Sequence, residues 1–503
     1  MKASVQSFLK AAILGVSVVA LGAATCVANA QPKAPAKASA EKTPKPPEKA
    51  PPRVGTLTLE KFLKQVREQN GAYKSAEETE EGAKLRSDEW KLLTRPNLIG
   101  NYTHGEDYRE TGSTFQGDAA RNRSWYIGVQ QQFGFGLSAE LKYTVTDFSI
   151  PNINRLAGEP EYTTAGPSIE FKQSLWRNFF GNETEAQQEQ IAANAGLTKF
   201  SSNFQKIQYL AQAEAAYWRL ALAREAVSAA RETYDRAIRL RDYTAGRKRL
   251  ELVDRSDVLQ SDSALLARQL ELQAATDEEK SASRAFNTFR ETNSDAVEEN
   301  LVEFDAGSID KLKIPERAQF RSDVLAEEQR LKLAAATAKI GLERNKPTVD
   351  LIGALGFTGR DVDHAAALDE SWQTDNPNYA IGVQMTVPLD IGNSSDARAG
   401  YRREAAAADV AYKTAVFQQE RLWEDLTQRF QDSVERFKIA SKMEASQREK
   451  LDYEKVRQNR GRTTTYQVIQ FEQDYTAAIL ARIRAQADVL NAYAQLKTFR
   501  GNQ

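Results

Sequence analysis

Two long stretches of the chain, residues 168–314 and 389–503, contain no proline. Proline breaks the interior of a helix, so these gaps are where long helices can form. Within the first gap, apolar residues recur every three or four positions, as at Leu220, Ala223, Val227, Ala230, Tyr234 and Ala237. That spacing is typical of a coiled-coil seam. A helix over residues 183–243 would be about 90 Å long at about 1.5 Å per residue, so it needs partner helices along its length.

The second gap has the same spacing, from Val468 to Ala494. Gly246 and Gly461 each lie where a predicted long helix ends, and each is followed by a polar stretch and another periodic run. This order is typical of a helical hairpin. We therefore predict one long hairpin in each half of the chain, with tips near residues 246–257 and 459–467.

Segments of alternating polarity separate the predicted helices. They cover residues 97–104, 125–132, 137–146, 168–175, 349–357 and 379–389. Such alternation indicates β-strands with one apolar face, as in a transmembrane β-barrel or a water-soluble sandwich. Four of the runs lie in the first half, where Phe133-Gly134-Phe135-Gly136 interrupts them. Both an extra β-hairpin and one long bent strand fit this interruption.

The two halves resemble each other in sequence. Ala76-Glu77-Glu78 lies about twenty residues before Pro96, and Ala326-Glu327-Glu328 lies about twenty residues before Pro347. We predict an internal duplication, with a first repeat over residues 54–314 and a second over 315–503. Their strands are expected within about residues 96–175 and 347–390.

The first residues indicate export from the cytoplasm. Residues 1–30 combine a basic start, an apolar run and the small-residue end Ala28-Asn29-Ala30, which is the layout of a signal peptide. Residues 31–53 hold seven of the fifteen prolines and are predicted to form an extended tether. Lipidation at Cys26 stays open, because Thr25 occupies a position where lipid-attachment signals favour a smaller residue.

Composition excludes several classes of function. A formal charge of -1 supplies no positive field for nucleic acid, and one Cys with two His cannot build zinc or iron–sulfur sites. No glycine-rich phosphate loop or Gly-x-Ser-x-Gly turn occurs. We expect no enzymatic activity and no cofactor.

Several short motifs, in this order along the chain, resemble the TolC-like outer-membrane efflux proteins, the outer membrane factor family. They are Leu57-Thr58-Leu59-Glu60, Gln173-Ser174-Leu175-Trp176-Arg177-Asn178, Arg321-Ser322-Asp323-Val324, Pro388-Leu389 and the stretch from Gly461 to Gln470. The resemblance covers nearly all of the chain after residue 57.

This resemblance implies an α+β membrane protein that works as a homotrimer. Strands from three copies would close one β-barrel in the lipid of the outer membrane, and the coiled-coil hairpins would form a periplasmic α-barrel. The implied function is passive export of small molecules or polypeptides, received from an inner-membrane pump through a periplasmic adaptor protein. A structural coiled-coil protein of the cell envelope is the alternative, although it leaves the apolar strands unexplained.

The resemblance places the gate and the adaptor-docking surface at the two hairpin tips. The candidate residues are Gly246, Arg247, Arg249, Asp257, Gly461, Arg462, Thr464, Tyr466, Gln467 and Gln470. Asp257 matches a position that helps to latch the closed state, with Arg462 and Tyr466 as partners, or it caps the returning helix. Gln467 and Gln470 stand where family members often carry an acidic ring, which puts such a ring in doubt here.

Three further expectations concern single features. The first tip, counted from Gly246 to Gln260, is five residues longer than the second, counted from Gly461 to Gln470. The family has two strands per half, so the four runs of the first half depart from it. His104 and His364 are predicted at the outer ends of strands. Either they meet and bind a metal ion, or each is a solvated loop side chain.

Overall fold

A computed structural model describes residues 55–108, 120–150, 159–251, 253–302, 304, 306–375 and 377–500. The predicted signal peptide, the tether and Cys26 lie outside the described residues. The described part of the chain combines long helices with one antiparallel sheet, which confirms the predicted α+β fold.

The first half begins with a short strand and two helices and then enters the sheet. Its elements are β1 (Thr56–Leu57), α1 (Leu59–Gln69), α2 (Gly71–Leu85), β2 (Asn97–Asp107), β3 (Ala120–Gln132), β4 (Leu137–Ser149), β5 (Glu161–Ser174), α3 (Asn182–Arg249) and α4 (Arg255–Phe289). Short 3₁₀ turns at Arg86–Thr94 and Phe179–Gly181 join the helices to the strands.

The second half repeats the order of helix, strands and helical hairpin. Its elements are β6 (Asn300–Leu301), α5 (Ser322–Arg344), β7 (Thr348–Phe357), β8 (Gly359–Asp361), α6 (His364–Glu370), β9 (Pro377–Thr386), α7 (Ile391–Asn459) and α8 (Thr465–Lys497). A 3₁₀ turn at Ala306–Lys311 precedes α5. The internal duplication expected from the sequence is therefore visible in the fold.

The long helices α3 and α7 form the frame of the protein. They contain 68 and 69 residues, which corresponds to about 100 Å each at about 1.5 Å per residue. Near the sheet, α3 packs against α2 and α5, and α7 packs against α5; farther away, α3 packs against α4 and α8, and α7 packs against α8. None of the helices in the described residues has an apolar stretch long enough to span a bilayer.

The sheet has the strand order β2-β3-β4-β5-β7-β9, with β8 paired to β5. All its pairings are antiparallel. Residues 133–136 form a tight turn between β3 and β4, so the first half contributes four separate strands. The extra hairpin is thus the correct alternative, and one long bent strand is wrong.

One face of the sheet is apolar and exposed. The strand register aligns one large apolar residue from each long strand in a single row: Leu98, Val129, Leu141, Ile169, Leu355 and Tyr379. All six side chains are exposed. The opposite face carries polar residues such as Glu140, Lys142 and Glu170.

Helix α6 packs against the outer part of the apolar face, and the sequence pattern did not predict it. Just after this helix, the Ser371 and Tyr143 hydroxyls lie 2.7 Å apart, and the Trp372 ring stacks on Tyr143. A seven-residue helix has too few turns to give a periodic signal.

The buried core lies at mid-height along the helices. The Phe62 ring stacks on Phe286 with centroids 4.1 Å apart, and the buried Tyr217 hydroxyl donates to the Leu57 carbonyl at 2.9 Å. A second cluster surrounds Phe430 and Val489 between α7 and α8. These clusters tie the short first elements and both hairpins together.

The turn between β3 and β4 is held against the point where β5 continues into α3. Gly136 (φ +83°) accepts a hydrogen bond at its carbonyl from the Ser174 amide, at 3.1 Å. Gly181 has φ +84°, and a Cβ on this residue would lie 1.6 Å from the Gly134 carbonyl oxygen. Only glycine fits there, because the backbone is left-handed and the neighbouring chain is in contact.

We expect Gly181→Ala to lower the free energy of unfolding by more than about 2 kcal/mol, because left-handed strain and overpacking add. Thermal unfolding of the detergent-solubilised protein, followed by circular dichroism, measures the effect. The control is Gly82→Ala in α2, where a Cβ meets nothing within 4 Å and the change should stabilise by about 0.5–1 kcal/mol. Equal stability of the two variants would contradict the close approach at Gly181.

Candidate gate and docking site

The second tip has the turn that the sequence predicted. Gly461 has φ +71° directly after α7, and its amide donates to the Gln458 carbonyl at 2.9 Å. The Arg462 amide donates to the Arg457 carbonyl, also at 2.9 Å. These paired bonds end a helix through a left-handed residue.

The first tip is built differently, and the expectation that Gly246 ends the helix is wrong. Helix α3 continues through Gly246 to Arg249, and Glu251 takes the left-handed conformation at φ +58°. A glycine is tolerated inside a helix at a cost of about 1 kcal/mol, so its presence alone does not end one. The Glu251 amide then donates to the Lys248 carbonyl at 2.9 Å.

The two tips have the same length when each is counted from its left-handed residue. Glu251 precedes Gln260 by nine residues, as Gly461 precedes Gln470. The expectation that the first tip is five residues longer is therefore wrong, because the additional residues belong to α3. The two tips are alike in length, as the duplication requires.

Two of the candidate residues start the helix of the second tip. The Thr464 hydroxyl accepts from the Gln467 amide at 3.3 Å, and the Gln467 side chain accepts from the Thr463 hydroxyl at 2.8 Å. Thr and Gln three residues apart form the usual N-terminal capping pattern. In the first tip the N-cap residue is Asp254, with Asp257 in the first helical turn. The alternative that Asp257 is the cap is therefore wrong.

The other candidate residues are accessible at the tip surface. Arg247 contacts the neighbouring Tyr243, Arg249 is exposed, and Tyr466 is 56% exposed. Gln470 donates to Asp474 at 3.4 Å. Within the described part of one chain, no hydrogen bond or ion pair joins Asp257 to Arg462 or Tyr466.

A different set of charges joins the two hairpins, and sequence analysis missed it. Glu472 of α8 accepts from Arg236 of α3 at 3.0 Å and lies 2.8 Å from Lys455 of α7. The Arg236 guanidinium also lies over the Tyr475 ring, 5.4 Å from its centroid. We name Arg236, Glu472 and Lys455 the inter-hairpin triad.

A second linkage lies farther from the tips. Arg482 of α8 contacts Glu225 of α3 at 2.6 Å and also pairs with Glu444 of α7. Burial alone lowers the pKa of Arg482, but the hydrogen bonds and charges of both carboxylates outweigh it, so the pKa is raised. Both linkages therefore connect the first hairpin to both helices of the second.

The tip surfaces are rich in positive charge. Residues 247–257 contain four basic and three acidic side chains, and residues 457–467 contain three basic and no acidic ones. The tips of one chain thus carry a positive excess, although the whole chain has a formal charge of -1. This surface suits a partner with acidic groups.

The two histidines lie in one cleft at the outer end of the sheet, together with Glu106, Arg123 and Asp147. His364 Nδ1 is 3.2 Å from an Asp147 oxygen. In the described ranges, no group of three or more His, Cys, Asp or Glu side chains is arranged so that it could hold a metal ion.

Comparison with solved structures identifies the fold. CmeC of Campylobacter jejuni, an outer membrane channel, is 14% identical with a TM-score of 0.62, over 88% of this chain and 84% of that one. The outer membrane protein VceC of Vibrio cholerae is 14% identical with a TM-score of 0.62, over 88% of this chain and 96% of that one. The MtrE outer membrane channel of Neisseria gonorrhoeae, solved in an open state, is 16% identical with a TM-score of 0.61, over 88% of each chain. No protein-family profile matches this chain, and no curated protein does either.

We expect Glu472→Gln to lower the free energy of unfolding by about 1–2 kcal/mol, because Arg236 and Lys455 lose a partly buried partner. A double-mutant cycle with Arg236→Gln, measured by chemical denaturation, should give a coupling of about 0.5–1.5 kcal/mol. The matched control is the same cycle with Arg219→Gln and Glu278→Gln. That pair is about half exposed, so its coupling should be about 0–1 kcal/mol. A coupling no larger than that of the control would show that the triad does not join the hairpins.

Proposed function

We propose that this chain, which has the fold of the TolC-like outer-membrane channels, is the subunit of a passive exit duct through an outer membrane. Three copies would close one β-barrel in the lipid, and their helical hairpins would form a tunnel across the periplasm. Cargo would enter at the hairpin tips and leave through the barrel.

The observation that carries this proposal is the exposed apolar row across all six long strands. On the last strand, Tyr379 and Ile381 are 75% and 78% exposed. A water-soluble protein rarely exposes a continuous apolar surface of this extent. A lipid-facing barrel wall requires it, with polar residues on the other face of each strand.

The open ends of the sheet support a closed assembly. Within the described residues of one chain, β2 and β9 each pair on one side only. Unpaired backbone groups are not tolerated in lipid, so the two edges need partners. Pairing β9 of one copy with β2 of the next supplies them, and a closed ring of copies leaves no edge.

The tips support the proposed partners. Their positive excess offers a docking surface for a periplasmic adaptor, which would connect the duct to an inner-membrane pump. Asp257 is free to contact a neighbouring copy, and the inter-hairpin triad would hold the entrance closed. A coupling of about 0.5–1.5 kcal/mol is small enough for a latch that must open and close.

The test is the oligomeric mass of the detergent-solubilised protein by light scattering, followed by conductance in a planar bilayer. We expect a trimer that forms ion-conducting pores. A detergent-independent monomer or dimer without conductance would contradict the duct and favour the structural coiled-coil protein.

The same bilayer measurement tests the latch. We expect Arg236→Gln and Glu472→Gln each to raise the conductance, because the entrance helices are released from α3. Asp257→Ala should raise it too if Asp257 bridges two copies. Arg219→Gln, which breaks an exposed pair within one hairpin, is the control and should leave conductance unchanged. Unaltered conductance in the triad variants would contradict their role in the gate.

A further inference from the structure

The sheet of one chain contains six long strands, of which four come from the first half. The resemblance implies two strands per half, so the hairpin of β3 and β4 is an addition to the family pattern. Such an addition can either extend the barrel wall or lie outside it.

Pairing shows that the hairpin lies within the sheet. Strand β3 pairs with β2 along Asn97–Asp107, and β4 pairs with β5 along Leu137–Ser149. Its apolar residues continue the same exposed row, through Val129 and Leu141. The added strands therefore separate β2 from β5 and lengthen the sheet.

The turn of the hairpin is also fixed to the rest of the chain. The Gln173 side-chain amide donates to the Phe135 carbonyl at 3.3 Å, and Gly181 packs on Gly134. The Asn178 side chain, next to this turn, accepts from the Glu183 amide at the start of α3 at 2.8 Å. The turn of the hairpin thus lies at the same end of the sheet as the start of β2 and the end of β5.

We propose that three copies form a barrel of eighteen strands, whose membrane section is wide enough for bulky, hydrated cargo; this rests on the proposed function. With strands about 4.8 Å apart and tilted by about 40°, eighteen strands enclose a backbone diameter of about 36 Å. Twelve strands, at two per half, would enclose about 24 Å by the same geometry. The added hairpins therefore enlarge the cross-section about twofold.

The helical part of the duct has a similar girth. Each chain places four helices side by side at any level, namely α2, α3, α5 and α7 near the sheet and α3, α4, α7 and α8 near the tips. Twelve helices at about 9 Å spacing have a circumference of roughly 110 Å. Eighteen tilted strands have about 113 Å, so the six-stranded sheet avoids a narrow neck where tunnel and barrel meet.

The polar face of the sheet suits hydrated cargo. Lys142 lies 3.3 Å from Glu140 and 2.8 Å from Glu170, and Lys172 lies 2.8 Å from Asp350. Two lysines face three carboxylates here, so these paired groups leave one negative charge per chain, and the wall is polar without a strong field of either sign. A wide, polar passage with little net charge would select cargo by its size rather than by its charge.

The experiment sizes the barrel by polymer exclusion. Polyethylene glycols of graded size are added to the barrel side of a planar bilayer, and the fall in conductance reports which polymers enter. The comparison is a variant that lacks residues 120–150, which joins residue 119 directly to residue 151 and leaves four long strands. We expect the unmodified channel to admit polymers that the variant excludes, because its cross-section is larger by about twofold.

End-on electron microscopy of the unmodified trimer provides a second measurement that does not depend on the variant folding. Eighteen strands and a diameter of about 36 Å would support the proposal. A ring of twelve strands, or equal polymer exclusion in both proteins, would overturn it and leave the exit duct intact. Absence of any pore from the unmodified protein would overturn the duct and this inference together.

Discussion

The unpaired edges of the apolar sheet are the constraint on which the rest of the molecule depends. Within the described residues of one chain, strands β2 and β9 each leave a row of backbone donors and acceptors without partners. The apolar side chains of the same strands, such as Leu98 and Tyr379, are exposed and suited to lipid. Those two properties are compatible only when the sheet closes on itself through other copies. In the proposed duct, closure would fix the radius at which each chain's helices leave the membrane, and the long hairpins would pack against their neighbours at that radius.

The connection between β5 and α3 sets the direction in which the helices leave the sheet. Where β5 continues into α3, Asn178 and Phe180 adopt positive φ angles of 58° and 49°. Glu183 holds this strained segment, since it binds Arg177 at 2.9 Å and Arg344 of α5 at 3.1 Å. Non-glycine residues in this conformation are stable only where surrounding contacts enforce it. The orientation of α3 relative to the strands is therefore set by a few local contacts.

Sequence patterns were sufficient for the features that repeat over many residues. The proline-free gaps and the spacing of three and four predicted α3 and α7, and alternation predicted all six long strands. Single-residue features were harder. Gly246 was misleading because glycine is only a weak helix breaker, whereas Glu251 gives no sequence signal for a left-handed turn. The triad could not be predicted, since Arg236 and Glu472 are two of many helical charges, and only the packing of α3 on α8 selects them.

In the proposed duct, the distribution of buried contacts would confine opening to the tips. At mid-height, α3 meets α1, α4 and α8 through large apolar side chains, including Tyr217, Phe286 and Ile483. Separating those surfaces would expose aromatic area at about 25 cal/mol per Å². Closer to the tips, the hairpins are joined by the charges of the triad, which water can solvate when they separate. Motion that breaks the polar contacts and keeps the apolar ones costs least, so the helices of the proposed duct would bend at their ends while the tunnel kept its diameter.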